Sequence, residues 1–468
     1  MKRATLVGIM VLGLAATANS KTPAAGLPAL AVSSDGHHLV TLDGRPFFWL
    51  GDTAWLLFTR SPQEIEHYLD DRARKGFSVI QVMAIRTDLQ NGQLCKSGRG
   101  DLPFARLDPV ELNESYWKHI DFIVDQAARR GLYVVLFTMW GRYVDRLFPN
   151  PRRDLYDYGR LLGRRYHDRH QVLWAVCGEY EKINPHWKQD PTVNAAQKEL
   201  IRRLAAGLNS TRAPYNLMTI HPIYTSARDF HNDSWLDFNM QQTWGHIAPD
   251  VVRIGADYRR RPPKPVLVGE PGYENRPQGD CPAWHLRLEA YWSVLSGGFG
   301  FTYGAHGLWQ FGPEWRRALA FPGASQMQYI RKLIQSRPVL KAIPCSNIVA
   351  EKPGSLSPRN PSRIVALRAT DGSYAIFYTP QGRPISVDMS MLSGTTVNAW
   401  WYSPRDGKCY DAEGIATAEP FGRFAAANIY RFAPPGKNGL GFDWVLVLDN
   451  AARQFLRPGT TTAGDKVE

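Results

Sequence analysis

Residues 47–83, FFWLGDTAWLLFTRSPQEIEHYLDDRARKGFSVIQVM, contain one complete strand, helix and strand, and they decide how the rest of the chain is read. Phe47–Leu50 and Val79–Met83 are short apolar runs of the kind that form buried strands. Between them, Ser61-Pro62-Gln63-Glu64 is a capping box with proline at the first helical position. Ile65, Tyr68, Leu69 and Ala73 then share one face, and Gly76 ends the helix. This is the repeating unit of an α/β fold.

The same rhythm continues outward. Further strands are expected at Tyr133–Phe137, Val172–Cys177, Leu217–His221, Phe238–Gln241, Pro265–Gly269 and Phe299–Tyr303, which makes eight, with helical stretches between them. Eight such units in roughly 290 residues match a (β/α)8 TIM barrel. A doubly wound open sheet is the alternative, but no phosphate-type Gly-rich loop follows the first strand. Beyond Arg337-Pro338 the helical periodicity fades. Ile364–Leu367, Tyr374–Tyr378, Val397–Trp401 and Trp444–Leu448 read as strands, with Asp371-Gly372 and Asp406-Gly407 as hairpin turns. A small C-terminal antiparallel β-sandwich is expected there. The organisation read from the sequence is a signal peptide at 1–20, a catalytic barrel at 35–344, a β-sandwich at 345–452 and a polar tail at 453–468.

Composition narrows the function. A chain of 468 residues, 44% hydrophobic and 21% charged, is too large and apolar for disorder or for a small stapled scaffold. Its Trp 15, Tyr 20 and Phe 20 suit a cleft that stacks on rings. Lys and Arg outnumber Asp and Glu by 56 to 43, so the net charge is +13 and acidic polymers are attracted. The basic residues are scattered and no recognition module is present, so nucleic acid is not an expected partner. Lys2 and Arg3, the apolar run Leu6 to Ala16 and Ala16-Thr17-Ala18 form a secretory signal. No later segment is apolar enough to span a bilayer, so export to a periplasm or the cell exterior is expected, without stable membrane insertion. Cys95, Cys177, Cys281, Cys345 and Cys409 are widely spaced, with neither C-x-x-C nor zinc spacing, so neither a disulfide framework nor a metal site is expected.

Barrel chemistry sits just past the strands. The polar and aromatic residues found there are Asp52 after strand one, Arg86 and Asp88 after two, Trp140 and Arg142 after three, Glu179 and Tyr180 after four, and His221 after five. Gln241 and Trp244 follow from strand six, Glu270 and Tyr273 from seven, and Tyr303, His306 and Trp309 from eight. Glu179 and Glu270 each follow a glycine at the end of a buried run, on strands that lie across the barrel from each other. Retaining glycoside hydrolysis uses such a carboxyl pair, about 5–5.5 Å apart. Glu274 is an alternative to Glu270 if strand seven runs longer. Asp52 either binds a sugar hydroxyl or caps a turn. His221 and His306 are structural or ligand contacts, and Trp140, Trp244 and Trp309 are a stacking platform or packing. H-E-x-x-H, G-x-S-x-G, Walker A and G-x-G-x-x-G are all missing from the sequence.

Three stretches carry a resemblance: Phe48-Trp49-Leu50-Gly51-Asp52-Thr53-Ala54-Trp55, then residues 68–81, then Lys264-Pro265-Val266-Leu267-Val268-Gly269-Glu270-Pro271-Gly272-Tyr273-Glu274. They resemble the apiosidase-like glycoside hydrolases, which join a (β/α)8 barrel to a C-terminal β-sandwich labelled a collagen-binding domain of a collagenase. The resemblance implies that Glu270 is the nucleophile and Glu179 the acid/base, a position where the family pattern carries Asp. It further implies an oligo- or polysaccharide substrate of pectic, acidic character, apiose being the sugar released, with no metal or organic cofactor. The competing expectation from the sandwich label is a non-catalytic glycan- or collagen-binding protein.

Overall fold

A computed structural model describes residues 26–87, 93–105, 108, 110–148, 150–246, 248–277 and 281–460. The expected signal peptide, Asp88 and the end of the polar tail lie outside the described residues.

A small antiparallel sheet comes first, formed by β1 (Leu30–Val32), β2 (Leu39–Thr41) and β3 (Pro46–Phe47). It covers the N-terminal end of the barrel, where the hydroxyl of Tyr133 donates to the carbonyl of Pro28 at 2.5 Å. The barrel follows in chain order: β4 (Trp49–Thr53), α1 (Pro62–Arg74), β5 (Val79–Met83), α2 (Glu114–Ala128), β6 (Tyr133–Phe137), α3 (Val144–Leu147), α4 (Pro151–Arg165) and β7 (Val172–Ala175). It continues through α5 (Ala195–Asn209), β8 (Met218–Thr219), α6 (Ala227–Phe230), β9 (Asn239–Gln242), α7 (Ala248–Tyr258), β10 (Val266–Glu270), α8 (Ala283–Leu295), β11 (Gly300–Tyr303), α9 (Trp315–Leu319) and α10 (Pro322–Gln335).

The eight barrel strands pair in parallel in the order β8-β7-β6-β5-β4-β11-β10-β9. The seam between β8 and β9 lacks a ladder but is held by the Asp237 amide on the Met218 carbonyl at 2.9 Å and the Thr219 hydroxyl on the Phe238 carbonyl at 2.8 Å. The wall is therefore nearly closed, as the TIM-barrel reading requires. The expected capping box of α1 is present: Ser61 Oγ accepts from the Glu64 amide at 3.3 Å, and Glu64 Oε2 from the Ser61 amide at 3.1 Å.

The first strand corrects one expectation. Phe47 belongs to β3, and the barrel strand runs from Trp49 through Thr53. Asp52 consequently lies within the wall, fully buried, where Oδ2 accepts from the Tyr68 hydroxyl and from Arg72 Nε, both at 2.6 Å. Tyr68 and Arg72 are four residues apart on α1, so one helical face supplies both donors. Asp52 fastens helix to strand.

The C-terminal region forms a seven-stranded antiparallel sheet from β12 (Ala342–Pro344), β13 (Val365–Ala369), β14 (Tyr374–Thr379), β16 (Thr396–Tyr402), β17 (Cys409–Tyr410), β18 (Gly422–Ala425) and β20 (Trp444–Asn450). A two-stranded sheet, β15 (Ile385–Asp388) with β19 (Ile429–Phe432), packs against it. Successive side chains of β14 point to opposite faces. Tyr374, Ile376 and Tyr378 join the barrel's apolar core, while Ala375 and Phe377 join a second core beneath β15 and β19. A sheet covered on both faces explains the unbroken apolar runs of β14 and β20.

The barrel side of this contact is α8. Its residues from Leu286 to Leu295 are all buried, so the helix has apolar residues on every side. Tyr291 stacks on Tyr378 with ring centroids 4.7 Å apart. Arg287 makes a two-pronged ion pair with Asp443 at 2.6 and 2.8 Å, and Arg337 does the same with Asp449. No disulfide forms among the described residues.

Candidate active site

A cleft of about 300 Å³ opens where the barrel strands end. Trp55, Met83, Arg86, Trp140, Arg142, Tyr143, Glu179, Lys182, Trp244, Glu270, Tyr273, Arg276, His306 and Trp309 line it. Glu270 is the last residue of β10, and Glu179 lies four residues past β7; these are the seventh and fourth barrel strands. They are the two carboxylates that line the cleft among the described residues.

Glu270 is held on both oxygens. Its Oε2 lies 2.8 Å from His221 Nε2, and because a carboxylate only accepts, that nitrogen carries the hydrogen. Its Oε1 accepts from the Tyr273 hydroxyl at 2.8 Å, which itself accepts from Trp55 Nε1 at 2.7 Å. Burial works against the charge on Glu270. The hydrogen bond and positive charge of His221, the Tyr273 hydroxyl and the charge of Lys182 outweigh it, so the carboxyl sits below its ordinary range. A permanently ionised carboxylate is what a nucleophile requires.

Glu179 is held differently. Its Oε2 accepts from Trp140 Nε1 at 2.5 Å and from Lys182 Nζ, with a nitrogen of Arg142 3.8 Å away. The residue is in the left-handed region, φ 41° and ψ 55°, and Trp244 across the cleft also has a positive φ of 51°. Such conformations cost about 1–3 kcal/mol and concentrate at functional sites.

The glycine before each carboxylate has a steric reason. A Cβ on Gly178 would lie 2.3 Å from Trp140 Cε3, and one on Gly269 would lie 2.4 Å from the Met240 side chain. Glycine therefore lets the Trp140 indole lie against the strand end and reach Glu179.

Of the residues expected at the mouth, the structure brings Glu179, Glu270, Trp140, Trp244, Tyr273, His306 and Trp309 into the cleft. His221 stands behind Glu270 instead of lining the cleft, fully buried. Tyr180, Gln241 and Tyr303 correct the sequence reading. Tyr180 turns outward to bond Asp229 at 2.6 Å, Gln241 bonds Asp257 at 2.5 Å, and Tyr303 bonds Glu274; all three are fully buried away from the cleft. Glu274 also accepts from the Gly323 amide at 3.0 Å, which ties it to α10 and removes it as an alternative to Glu270.

Arg86 and Arg142, which stand just past strands two and three in the sequence, also line the cleft, whereas sequence reasoning did not single out Trp55, Lys182 and Arg276. Trp55 was visible within the first motif, and Lys182 stands three residues beyond Glu179, where a tight turn closed by the Lys182 amide on the Glu179 carbonyl at 2.9 Å brings the two together. Cys177 is buried and burial pushes its thiol far above the ordinary range, which makes it inert. Among the described residues no group of three or more His, Cys, Asp or Glu is arranged to hold a metal ion, and no helix is long and apolar enough to cross a membrane.

Comparison with known proteins gives the same picture. The model of the apiosidase-like catalytic domain matches residues 33–341, and that of the "Putative collagen-binding domain of a collagenase" matches residues 343–449. No curated protein matches the chain. A solved structure named as a glycoside hydrolase is 29% identical, covering 91% of this chain and 97% of its own with a TM-score of 0.79. A glycoside hydrolase family 5 structure from Bacteroides vulgatus is also 29% identical, covering 93% of this chain and 96% of its own with a TM-score of 0.77. A third, from the same organism, shares the fold at 13% identity and a TM-score of 0.65. The barrel is thus a glycoside hydrolase barrel, and the chain belongs to the apiosidase-like family.

Proposed function

We propose that the protein is a retaining glycoside hydrolase in which Glu270 attacks the anomeric carbon and Glu179 serves as acid and then base. The observation that carries this reading is the unequal treatment of the two carboxylates in one cleft. Glu270 is held ionised by donors on both oxygens, whereas among the described residues Glu179 receives its protein donors on Oε2 alone. In the first step a Glu270 oxygen bonds to the anomeric carbon as the glycosidic bond breaks, and the proton of Glu179 passes to the departing oxygen. In the second, Glu179 takes a proton from water, whose oxygen bonds to the anomeric carbon and releases Glu270.

The substrate proposed is an oligo- or polysaccharide from which a terminal or side-chain sugar is removed, an apiosidase-like reaction on a pectic glycan. Trp244 and Trp309, half-buried in the cleft, offer ring faces for the sugar, and Arg86, Arg142, Lys182 and Arg276 give the cleft a cationic lining suited to acidic neighbours. Export fits such a substrate, and the N-terminal sequence of the mature protein tests it. The functional test is incubation with pectic and hemicellulosic oligosaccharides and identification of the monosaccharide set free. Release by the native protein and its loss in both Glu270→Gln and Glu179→Gln are expected. Binding of the panel without release by any member would favour the glycan-binding alternative.

A further inference from the structure

We propose that Lys182 is the positioning residue for Glu179: it fixes Oε2, leaves Oε1 to carry the catalytic proton, and sets the pH above which that proton is lost. The inference rests on the acid/base role given to Glu179 in the preceding section and asks what governs it.

The geometry starts in the backbone. The segment after Glu179, Tyr180–Ile183, is a 3-10 turn, and the Lys182 amide donates to the Glu179 carbonyl at 2.9 Å, which folds Lys182 back beside Glu179. Lys182 Nζ and Trp140 Nε1 both donate to Oε2, and no protein donor reaches Oε1 among the described residues. The amine cannot easily swing away, because its other side faces the Trp187 ring, 4.6 Å from the centroid. With both side chains under a tenth exposed, little solvent screens the pair.

The charges facing Glu179 come from four directions. Arg142, in the turn after β6, lies 3.8 Å away and, with Lys182, opposes protonation. Glu270 at the end of β10 favours protonation while it is ionised, and His221 is hydrogen-bonded behind it. Cys177 on the incoming chain is a neutral thiol. Once Glu270 is esterified its charge disappears, while that of Lys182 remains, so the balance tips toward ionised Glu179 when a base is needed. Burial lowers the Lys182 amine below the usual lysine range, and the charge and hydrogen bond of Glu179 oppose the fall.

The test compares Lys182→Met, which removes the charge, with Lys182→Arg, which keeps it. The carboxyl carbons of 13C-glutamate-labelled protein are titrated by NMR, with Glu179 assigned from its loss in Glu179→Gln, and the pH dependence of kcat is measured on the sugar-releasing substrate. The Glu179 midpoint and the upper limb of kcat should both rise by roughly one pH unit or more in Lys182→Met and stay near native in Lys182→Arg. An unmoved midpoint in Lys182→Met overturns the proposal whatever the activity. A moved midpoint with an unmoved upper limb overturns instead the acid/base role of Glu179.

Discussion

His221 and Glu270 meet at 2.8 Å, Nε2 to Oε2, in a contact from which the histidine is fully shielded. The imidazole thus orients the carboxylate and helps keep it ionised against the cost of burial. A nucleophile loses activity as pH falls through its pKa, so removing a group that lowers that pKa moves the acid limb to higher pH. His221→Phe should raise the acid limb of kcat/KM by roughly one unit and lower kcat by about 10- to 100-fold, read from a pH profile of sugar release.

Tyr273 performs the same service at Oε1 with a neutral hydroxyl, itself fixed by Trp55. Tyr273→Phe should shift the acid limb in the same direction by less than His221→Phe, with kcat about tenfold lower. Equal pH profiles for native and variant would mean that the hydroxyl has no part in ionising Glu270.

Asp52 makes the opposite prediction. It joins β4 to α1 through Tyr68 and Arg72, all buried, and stands outside the cleft. Asp52→Ala leaves the Arg72 guanidinium buried beside a cavity and should cost about 3–5 kcal/mol of stability, seen in urea unfolding. Below the unfolding transition KM should stay near native. A raised KM with native stability would restore the sugar-binding role.

These variants also show which parts of the molecule were legible in the sequence. Val79–Met83 and Tyr133–Phe137 match their expected bounds because apolar β-branched runs mark buried strands. The first strand slipped because Phe47 and Trp49 belong to different sheets within one apolar run, and the slip carried Asp52 from the mouth into the wall. Gln241 failed for a related reason. Neighbouring strand residues face opposite ways, and the sequence alone does not say which parity points to the mouth. Tyr180 failed because Glu179 adopts a left-handed conformation, which redirects the side chains after it. Trp55, Lys182 and Arg276 lie past the strand ends, where no periodicity aims a side chain.

Gly178 tests the support of Glu179. Gly178→Ala puts a methyl group 2.3 Å from the Trp140 ring, so the indole must shift and its hydrogen bond to Glu179 must lengthen. A loss of about 1–3 kcal/mol in stability and at least a tenfold fall in kcat are expected. An unchanged kcat would show that Trp140 does not hold the acid/base.

Asp443 tests the union of the two regions. It pairs with Arg287 on α8, and the same helix carries Glu289, whose carboxylate accepts from the Gly272 amide two residues after Glu270. Asp443→Ala strands a buried cation and should cost about 3–5 kcal/mol, with the whole chain still melting in one calorimetric transition. Two separate transitions would contradict the shared core between barrel and sheet.

The central claim is that Glu270 forms the covalent bond to the sugar, and turnover of Glu270→Ala with and without sodium azide tests it most directly. Azide fits the space vacated by the carboxylate and attacks from the same face. The reading predicts an inactive variant that recovers turnover with azide and yields a glycosyl azide of inverted anomeric configuration. Full activity of Glu270→Ala without azide would contradict it.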